Sequence, residues 1–342
     1  MAFYLPDEGL YVSAPAAYLP EREMTNARLI EWMGARVKPE WIARRTGIET
    51  RWWASDDEAV SDLAVKASEA LFARRPDRRG AVRQLVLATS SGDYPTPPTS
   101  PLVQHRLGLR EAGCVDLGAA CAGFVTGLYT AAVHCGATAE TQLLAAAEIR
   151  SRFLDRRDLA TAVLFGDGAA ACLVSRDRRD GEFAFVAGEL LSDGSVADLV
   201  CLAAGGSRLP CHEARDLEGP QYLRMQDGPR LFLLAAQGMR AAAESLLARL
   251  GMPAGAVDWL VPHQANLHLV RETARLLGFP PERVVETVQH YGNTSGSSVG
   301  LALARLCGDG RLSPGQHVLL VSAGGGGVAA TALLRKVDGD VD

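Results

Sequence analysis

The sequence predicts an α/β protein made of two tandem halves, and three observations predict it. Short apolar runs alternate with helical patterns along all 342 residues. The runs of the second half repeat the order of those in the first. The length suits two packed units of about 150–180 residues better than one.

The runs that read as buried strands are Leu85–Ala88, Cys114–Leu117, Gln142–Ala146 and Ala171–Val174 in the first half. In the second half they are Asp258–Val261, Val284–Val288, His317–Ser322 and Thr331–Leu334. Taken pairwise they indicate a duplication, with a first half over residues 1–180 and a second over 181–342. Helices are expected after a cap at Thr25 or Asn26, along Leu63, Ala67 and Leu71, and along Phe124, Leu128 and Ala131. Two more are expected over Leu231–Leu250, closed by Gly251, and from Leu267 to Gly278. Tyr94–Pro101 holds four prolines and reads as an extended loop.

Composition narrows the function. Hydrophobic residues make up 48% and charged residues 22%, which describes an ordinary globular chain with a sizeable core. A net charge of −5 argues against nucleic-acid binding, which favours a basic excess. The seven cysteines are scattered with no CxxC pair, so neither a zinc site nor a metal of any kind is expected. Met1–Leu10 lacks the pattern of a secretion signal, and no uninterrupted apolar run is long enough for a membrane span. A reducing cytoplasm with free thiols is the expected setting.

Chemistry concentrates at four strand ends. In Asp116-Leu117-Gly118-Ala119-Ala120-Cys121-Ala122-Gly123-Phe124 a strand passes through tiny residues into a helix. A free cysteine is usually a buried core residue. One at a helix start meets unpaired N–H groups that favour thiolate, and the small neighbours leave room for a substrate, so Cys121 reads as a nucleophile. His263, in Pro262-His263-Gln264-Ala265-Asn266, follows the next strand, where α/β folds place ligands. Asn293 lies between Gly292 and the hydroxyl residues Thr294 and Ser295; alone it would pass for a capped turn. Gly324–Gly327 offers backbone N–H groups to a ligand at close range. It lacks the Gly-Lys-Ser/Thr ending of a nucleotide loop, which leaves an oxyanion hole as the better fit.

Together with Trp41-Ile42-Ala43-Arg44-Arg45-Thr46-Gly47-Ile48, Phe165-Gly166-Asp167-Gly168-Ala169, Gly205-Gly206-Ser207-Arg208 and Ser313-Pro314-Gly315-Gln316, these stretches resemble, in order and along nearly the whole chain, the β-ketoacyl-acyl-carrier-protein synthase III family. Its members are condensing enzymes of the thiolase fold. The resemblance implies two duplicated βαβαβαββ halves in a five-layer α-β-α-β-α arrangement, and a homodimer. It implies an acyl group held on Cys121, an oxyanion hole made by the N–H groups of Cys121 and Gly325, and a second thioester carbonyl bound by His263 and Asn293. Trp41 and Arg45 match positions that hold coenzyme A, and Asn266 one that holds the pantetheine arm. Arg271 and Arg275, four apart on one helix, are expected to meet an acidic acyl carrier protein. No cofactor is implied: coenzyme A or phosphopantetheine thioesters are the substrates.

The chain departs from the family at three places. Ala323 stands where a phenylalanine precedes the glycine loop, His268 replaces a basic residue after Asn266, and Tyr94–Thr99 is unusually proline-rich. Ala323 implies a roomier cavity than an acetyl primer needs, and so longer acyl chains or polyketide metabolism. Three rivals remain: an acyltransferase of the same fold acting on an alcohol or amine, a papain-like thiol protease, and a subunit without activity that shapes a partner's cavity. Asn293 beside His263 speaks against the first, the missing disulfides and local signature against the second, and Cys121 itself against the third.

Overall fold

The computed structural model describes residues 2–6, 9–180, 182–215 and 217–338. Strands β1 (Ala2–Tyr4), β2 (Tyr11–Val12), β3 (Ala16–Tyr18) and β4 (Arg22–Thr25) lead to helices α1 (Asn26–Met33) and α2 (Pro39–Thr46). Next come β5 (Thr50–Trp53), α3 (Val60–Arg74), β6 (Val82–Ala88), α4 (Ser100–Arg106), β7 (Gly113–Leu117), α5 (Gly123–Thr138), β8 (Thr141–Glu148), α6 (Leu159–Ala162) and β9 (Gly168–Ser175). The chain continues through β10 (Phe183–Ser192), β11 (Val200–Leu202), β12 (Leu223–Met225), α7 (Gly228–Arg249), β13 (Trp259–Pro262) and α8 (Leu267–Leu277). It ends with α9 (Val288–Tyr291), α10 (Ser298–Gly308), β14 (His317–Gly324) and β15 (Val328–Lys336).

The main sheet runs β13-β14-β15-β10-β2-β9-β8-β6-β7, with β1 on β10 and β3 on β9. One pairing pattern occurs twice. β6 lies parallel to β8 and β8 antiparallel to β9; β13 lies parallel to β14 and β14 antiparallel to β15. The short β2 pairs with both β9 and β10 and joins the two sets. Helices α5 and α10 lie between the sets and touch both, while α3 covers one outer face and α7 with α8 the other. Strands β8 and β9 are covered on both sides, which is why they read as unbroken apolar runs. The residue at which the halves were divided, 181, lies outside the described residues.

Local signals place the helices. Thr25 Oγ1 accepts from the Arg28 N–H and starts α1, and Gly278, at φ +75°, closes α8. Asp227 caps α7, which therefore begins three residues before the expected Leu231. Pro101 belongs to the first turn of α4, where a missing N–H costs nothing, and not to the loop before it. Val284–Val288 is not a strand. Val284 makes a single bridge to Leu260, and the N–H groups of Thr287 and Val288 donate to the side-chain oxygen of Gln264 at 2.9 and 3.2 Å. A side chain takes the place of a neighbouring strand there.

By length and hydropathy, the segments Ala120–Thr138 and Gly228–Arg249 would pass for membrane spans. α5, within the first of them, packs between the two sets of strands, as a core helix does. Phe124 of α5 is fully buried against α10, where a Cβ on Gly300 would fall 2.5 Å from its ring. Gly300→Ala is therefore expected to destabilise the fold by about 1–3 kcal/mol, despite alanine's better helix propensity. Urea denaturation tests this; equal or greater stability would contradict it.

Candidate active site

β7 ends at Leu117, and a single 3₁₀ turn, Ala120–Ala122, delivers Cys121 to the head of α5. Ala120 has φ +45°, a conformation costly for a residue with a Cβ, at the residue just before the candidate nucleophile. The second half reaches over to meet it. Ser322 Oγ donates to the Cys121 carbonyl at 2.8 Å. The turn after β14 comes so close that a Cβ on Gly324 would lie 2.9 Å from Ala119 O and 3.0 Å from Cys121 N, so only glycine fits. The Gly325 N–H is directed at the sulfur, and Ser295 Oγ lies 3.6 Å from it. Gly296 abuts the same turn: a Cβ there would fall 2.8 Å from Ala120 O and 3.5 Å from Gly123 Cα.

Burial pushes the Cys121 thiol above its ordinary pKa. The Ser295 hydroxyl, Arg150 and the Gly325 N–H oppose the rise, and Glu148 adds to it. The expectation of a resting thiolate is corrected: the helix start is present, but removing water from the sulfur outweighs it. Cys121 waits as a thiol.

His263 follows β13 directly, its N–H bonded to Val321 O at 2.9 Å. Its Nδ1 lies 2.7 Å from Ser298 Oγ, toward which the Gln264 N–H also donates, at 3.5 Å. The Ser298 hydroxyl can donate to Nδ1, and in that arrangement the imidazole proton is on Nε2. Burial lowers the His263 pKa to about 4, so the ring is neutral near pH 7. The sign of the linkage follows. Unfolded histidine takes a proton near pH 6.5, and the folded one only near 4. The unfolded state thus binds more protons across that window, and stability falls as pH drops from 6.5 to 4. The loss is expected to be on the order of 3 kcal/mol. Denaturation midpoints of the wild type and His263→Gln should converge on acidification; parallel curves would contradict this.

Asn293 is pinned at its backbone by Leu164 O and the Gly166 N–H, at 2.9 and 3.0 Å. Its Oδ1 accepts from the Ser295 N–H at 2.9 Å, which leaves Nδ2 as the end available to a ligand. Beneath it the fully buried Arg51 donates to Met24 O, Asn26 Oδ1 and Val163 O.

Cys121, His263 and Asn293 line one cavity of about 1160 Å³, together with Ala323 and Gly324–Gly327. Trp41, Arg45 and Asn266 line it too. The Arg45 guanidinium lies 5.6 Å from the centre of the Trp41 ring. Asn266 has a second task, because its Oδ1 caps α8 by accepting the Leu269 N–H. Arg271 and Arg275 lie elsewhere, against a separate cavity of about 730 Å³, and each already pairs with a carboxylate, Glu286 and Glu272 respectively. Gly205-Gly206-Ser207-Arg208 does not line the main cavity. Among the described residues no three His, Cys, Asp or Glu side chains gather as a metal site. Sequence reasoning missed Ser295 and Ser298, which carry a signal only as part of a serine-rich turn.

A cysteine, a neutral histidine and a carboxamide lining one cavity in this α/β architecture are the arrangement of a thiolase-fold acyl-transferring enzyme. Family-wide sequence profiles narrow the class: 3-oxoacyl-[acyl-carrier-protein] synthase III matches residues 115–194, and its C-terminal counterpart residues 247–336. The β-ketoacyl-[acyl-carrier-protein] synthase III of Oleidesulfovibrio alaskensis is 37% identical over 327 residues, 95% of this chain and 98% of that one. The 3-oxopimeloyl-[acyl-carrier-protein] synthase of Rhodothermus marinus is 40% identical over 330 residues, 96% of this chain and 92% of that one. Among solved structures, 3-oxoacyl-(acyl carrier protein) synthase III of Pseudomonas aeruginosa superposes with a TM-score of 0.88 at 34% identity, covering 97% of this chain and 99% of that one. The priming β-ketosynthase of the R1128 polyketide pathway gives 0.86 at 30%, covering 98% and 99%. The chain belongs to the β-ketoacyl-acyl-carrier-protein synthase III family of condensing enzymes.

Proposed function

We propose that this chain carries out a ping-pong Claisen condensation in fatty-acid or polyketide synthesis. The observation that carries the reading is the convergence of Cys121, His263 and Asn293 on one cavity that also reaches Trp41 and Arg45. Cys121 Sγ attacks the carbonyl of an acyl-coenzyme A or acyl-carrier-protein thioester. The new C–S bond gives a tetrahedral intermediate, whose collapse breaks the old C–S bond, and the thiol proton leaves on the departing pantetheine thiol. The Cys121 and Gly325 N–H groups hold the oxyanion. A malonyl thioester then loses CO₂, and its enolate oxygen is held by His263 Nε2–H and Asn293 Nδ2. The carbanion attacks the acyl-cysteine carbonyl and expels the Cys121 thiolate, which takes up a proton from solvent to restore the thiol and complete the cycle. A β-ketoacyl acceptor would lose a proton instead of CO₂, and one proton would then return to the released Cys121 sulfur. A neutral His263 is the right form for this task, since it donates a hydrogen bond without adding a charge.

Trp41 and Arg45 are assigned to coenzyme A, and Asn266 to the pantetheine arm. Arg271 and Arg275 are assigned to the carrier protein. Their present ion pairs are largely exposed, of a kind worth about 0–1 kcal/mol, so incoming carboxylates exchange with them at little cost. A homodimer is supported by β7, an edge strand that leaves Val115 40% exposed, with Leu102 (38%) and Tyr94 (59%) as further apolar surface. Seven cysteines without a disulfide support a reducing, cytoplasmic setting.

Intact-mass analysis after incubation with a panel of acyl-coenzyme A and acyl-carrier-protein donors tests the reading. One acyl adduct is expected, discharged by a malonyl thioester with release of CO₂ and formation of a β-ketoacyl product. No adduct from any donor, or an ester product without CO₂, would overturn it; the latter result favours acyl transfer to an alcohol.

A further inference from the structure

The C-terminal ends of three neighbouring parallel strands meet beside the turn that carries Cys121. β7 leads to the cysteine, β6 to Ser90 and Ser91, and β8 to Glu148 and Arg150. Two opposite charges are buried there. Glu148 is fully buried, Arg150 is 7% exposed, and Arg150 Nη2 lies 3.3 Å from Glu148 Oε2. Both serines fasten the carboxylate: Ser90 Oγ donates to Oε1 at 2.9 Å and Ser91 Oγ to Oε2. Arg150 also donates to Ser90 Oγ. A single short turn separates this pair from the sulfur. A Cβ on Gly296 would fall 3.0 Å from Glu148 Oε1 and 2.8 Å from Ala120 O, so the carboxylate and the residue before Cys121 press on the same glycine. Ser295, next to that glycine, places its Oγ 3.6 Å from the sulfur.

A buried ion pair is a poor brace, since apolar side chains of similar shape often leave stability unchanged or higher. It is an effective source of field, because charges held away from water are weakly screened. The two charges oppose one another at the sulfur: Arg150 favours loss of the thiol proton and Glu148 disfavours it. The other ionisable side chains around Cys121 are neutral His263, with Arg45 and Asp193 further along the cavity. Asp167 is a further buried carboxyl beside the pair and accepts the Arg150 and Ser151 N–H groups. The elements packed on the Cys121 turn, α5, β14 and β15, hold His134, His317 and Arg335 with Lys336 at their far ends.

We propose that Glu148 and Arg150 are positioning residues that together balance proton release from Cys121, Glu148 holding the proton on and Arg150 drawing it off. The proposal deepens the condensing function above. There the same sulfur attacks as a nucleophile and later departs as a thiolate, and a lower proton affinity weakens the first step while it helps the second.

Alkylation of Cys121 by iodoacetamide, followed from about pH 7 to about pH 10 and read at that residue by peptide mass, reports proton release without any acyl donor. Glu148→Gln keeps the shape and is expected to move the rising limb to lower pH by about half a unit or more. Arg150→Met is expected to move it about as far to higher pH, and Arg150→Lys to return most of that shift. A merely structural role would loosen the site and move both single variants the same way. Limbs displaced in one direction, or not displaced, would overturn the balance. Far-UV circular dichroism verifies the fold of each variant, and each single variant decides alone, so one that fails to fold leaves the other to rule. A wild type that accepts no acyl group from any donor would sink the condensing function instead; opposed displacements would still support the pair.

Discussion

Replacing Cys121 by alanine is expected to abolish the acyl adduct and to lower product formation by on the order of 10⁴-fold or more. Among the described residues, Cys121 is the one cysteine that lines the cavity, with the Gly325 N–H and the Ser295 hydroxyl arranged around its sulfur. The same variant leaves His263, Asn293 and their supports untouched. Malonyl thioester should therefore still lose CO₂, now without a condensation product. Measuring CO₂ and product in parallel separates the two steps. Condensation that persists in Cys121→Ala would show that another group carries the acyl chain.

Asn293→Ala is expected to do the reverse. Cys121 should still take the acyl group, while decarboxylation and condensation fall by about 10²–10³-fold, the loss that follows removal of one preorganised oxyanion donor. The reason lies in how the carboxamide is held. Its oxygen is occupied by the Ser295 N–H and its backbone by Leu164 and Gly166, so Nδ2 reaches the enolate oxygen already oriented. Asn293→Asp keeps the shape but places an acceptor opposite a developing negative charge, and should be no better than alanine. Unimpaired CO₂ release in both variants would remove Asn293 from the chemistry.

Most of the chemical centre was legible because each part is local in sequence. A strand, a few tiny residues and a helix start are contiguous around Cys121, and the same grammar surrounds His263 and Asn293. What was illegible depends on atoms distant along the chain. The thiolate expected of Cys121 failed because burial raises the thiol's pKa more than the Ser295 hydroxyl, Arg150 and the Gly325 N–H lower it. The partner of His263 Nδ1 is Ser298, 35 positions away. Val284–Val288 has the composition of a strand, but Gln264 takes its N–H groups. β10 escaped notice for the opposite reason. It carries Glu189 inside the sheet, an unlikely strand residue until Arg249 and Ser245 of α7 meet its carboxylate at 3.1 and 3.0 Å.

The close approach of Gly296 to Gly123 and Ala120 has a consequence for adaptability. Main chain pressed on main chain has no rotamers to yield, so the reacting groups of both halves move as one piece or not at all. Room for a different substrate must come from the far wall, where α7 offers side chains that can be exchanged one at a time. The packing around Cys121 is therefore the part of the cavity least open to change by single substitutions.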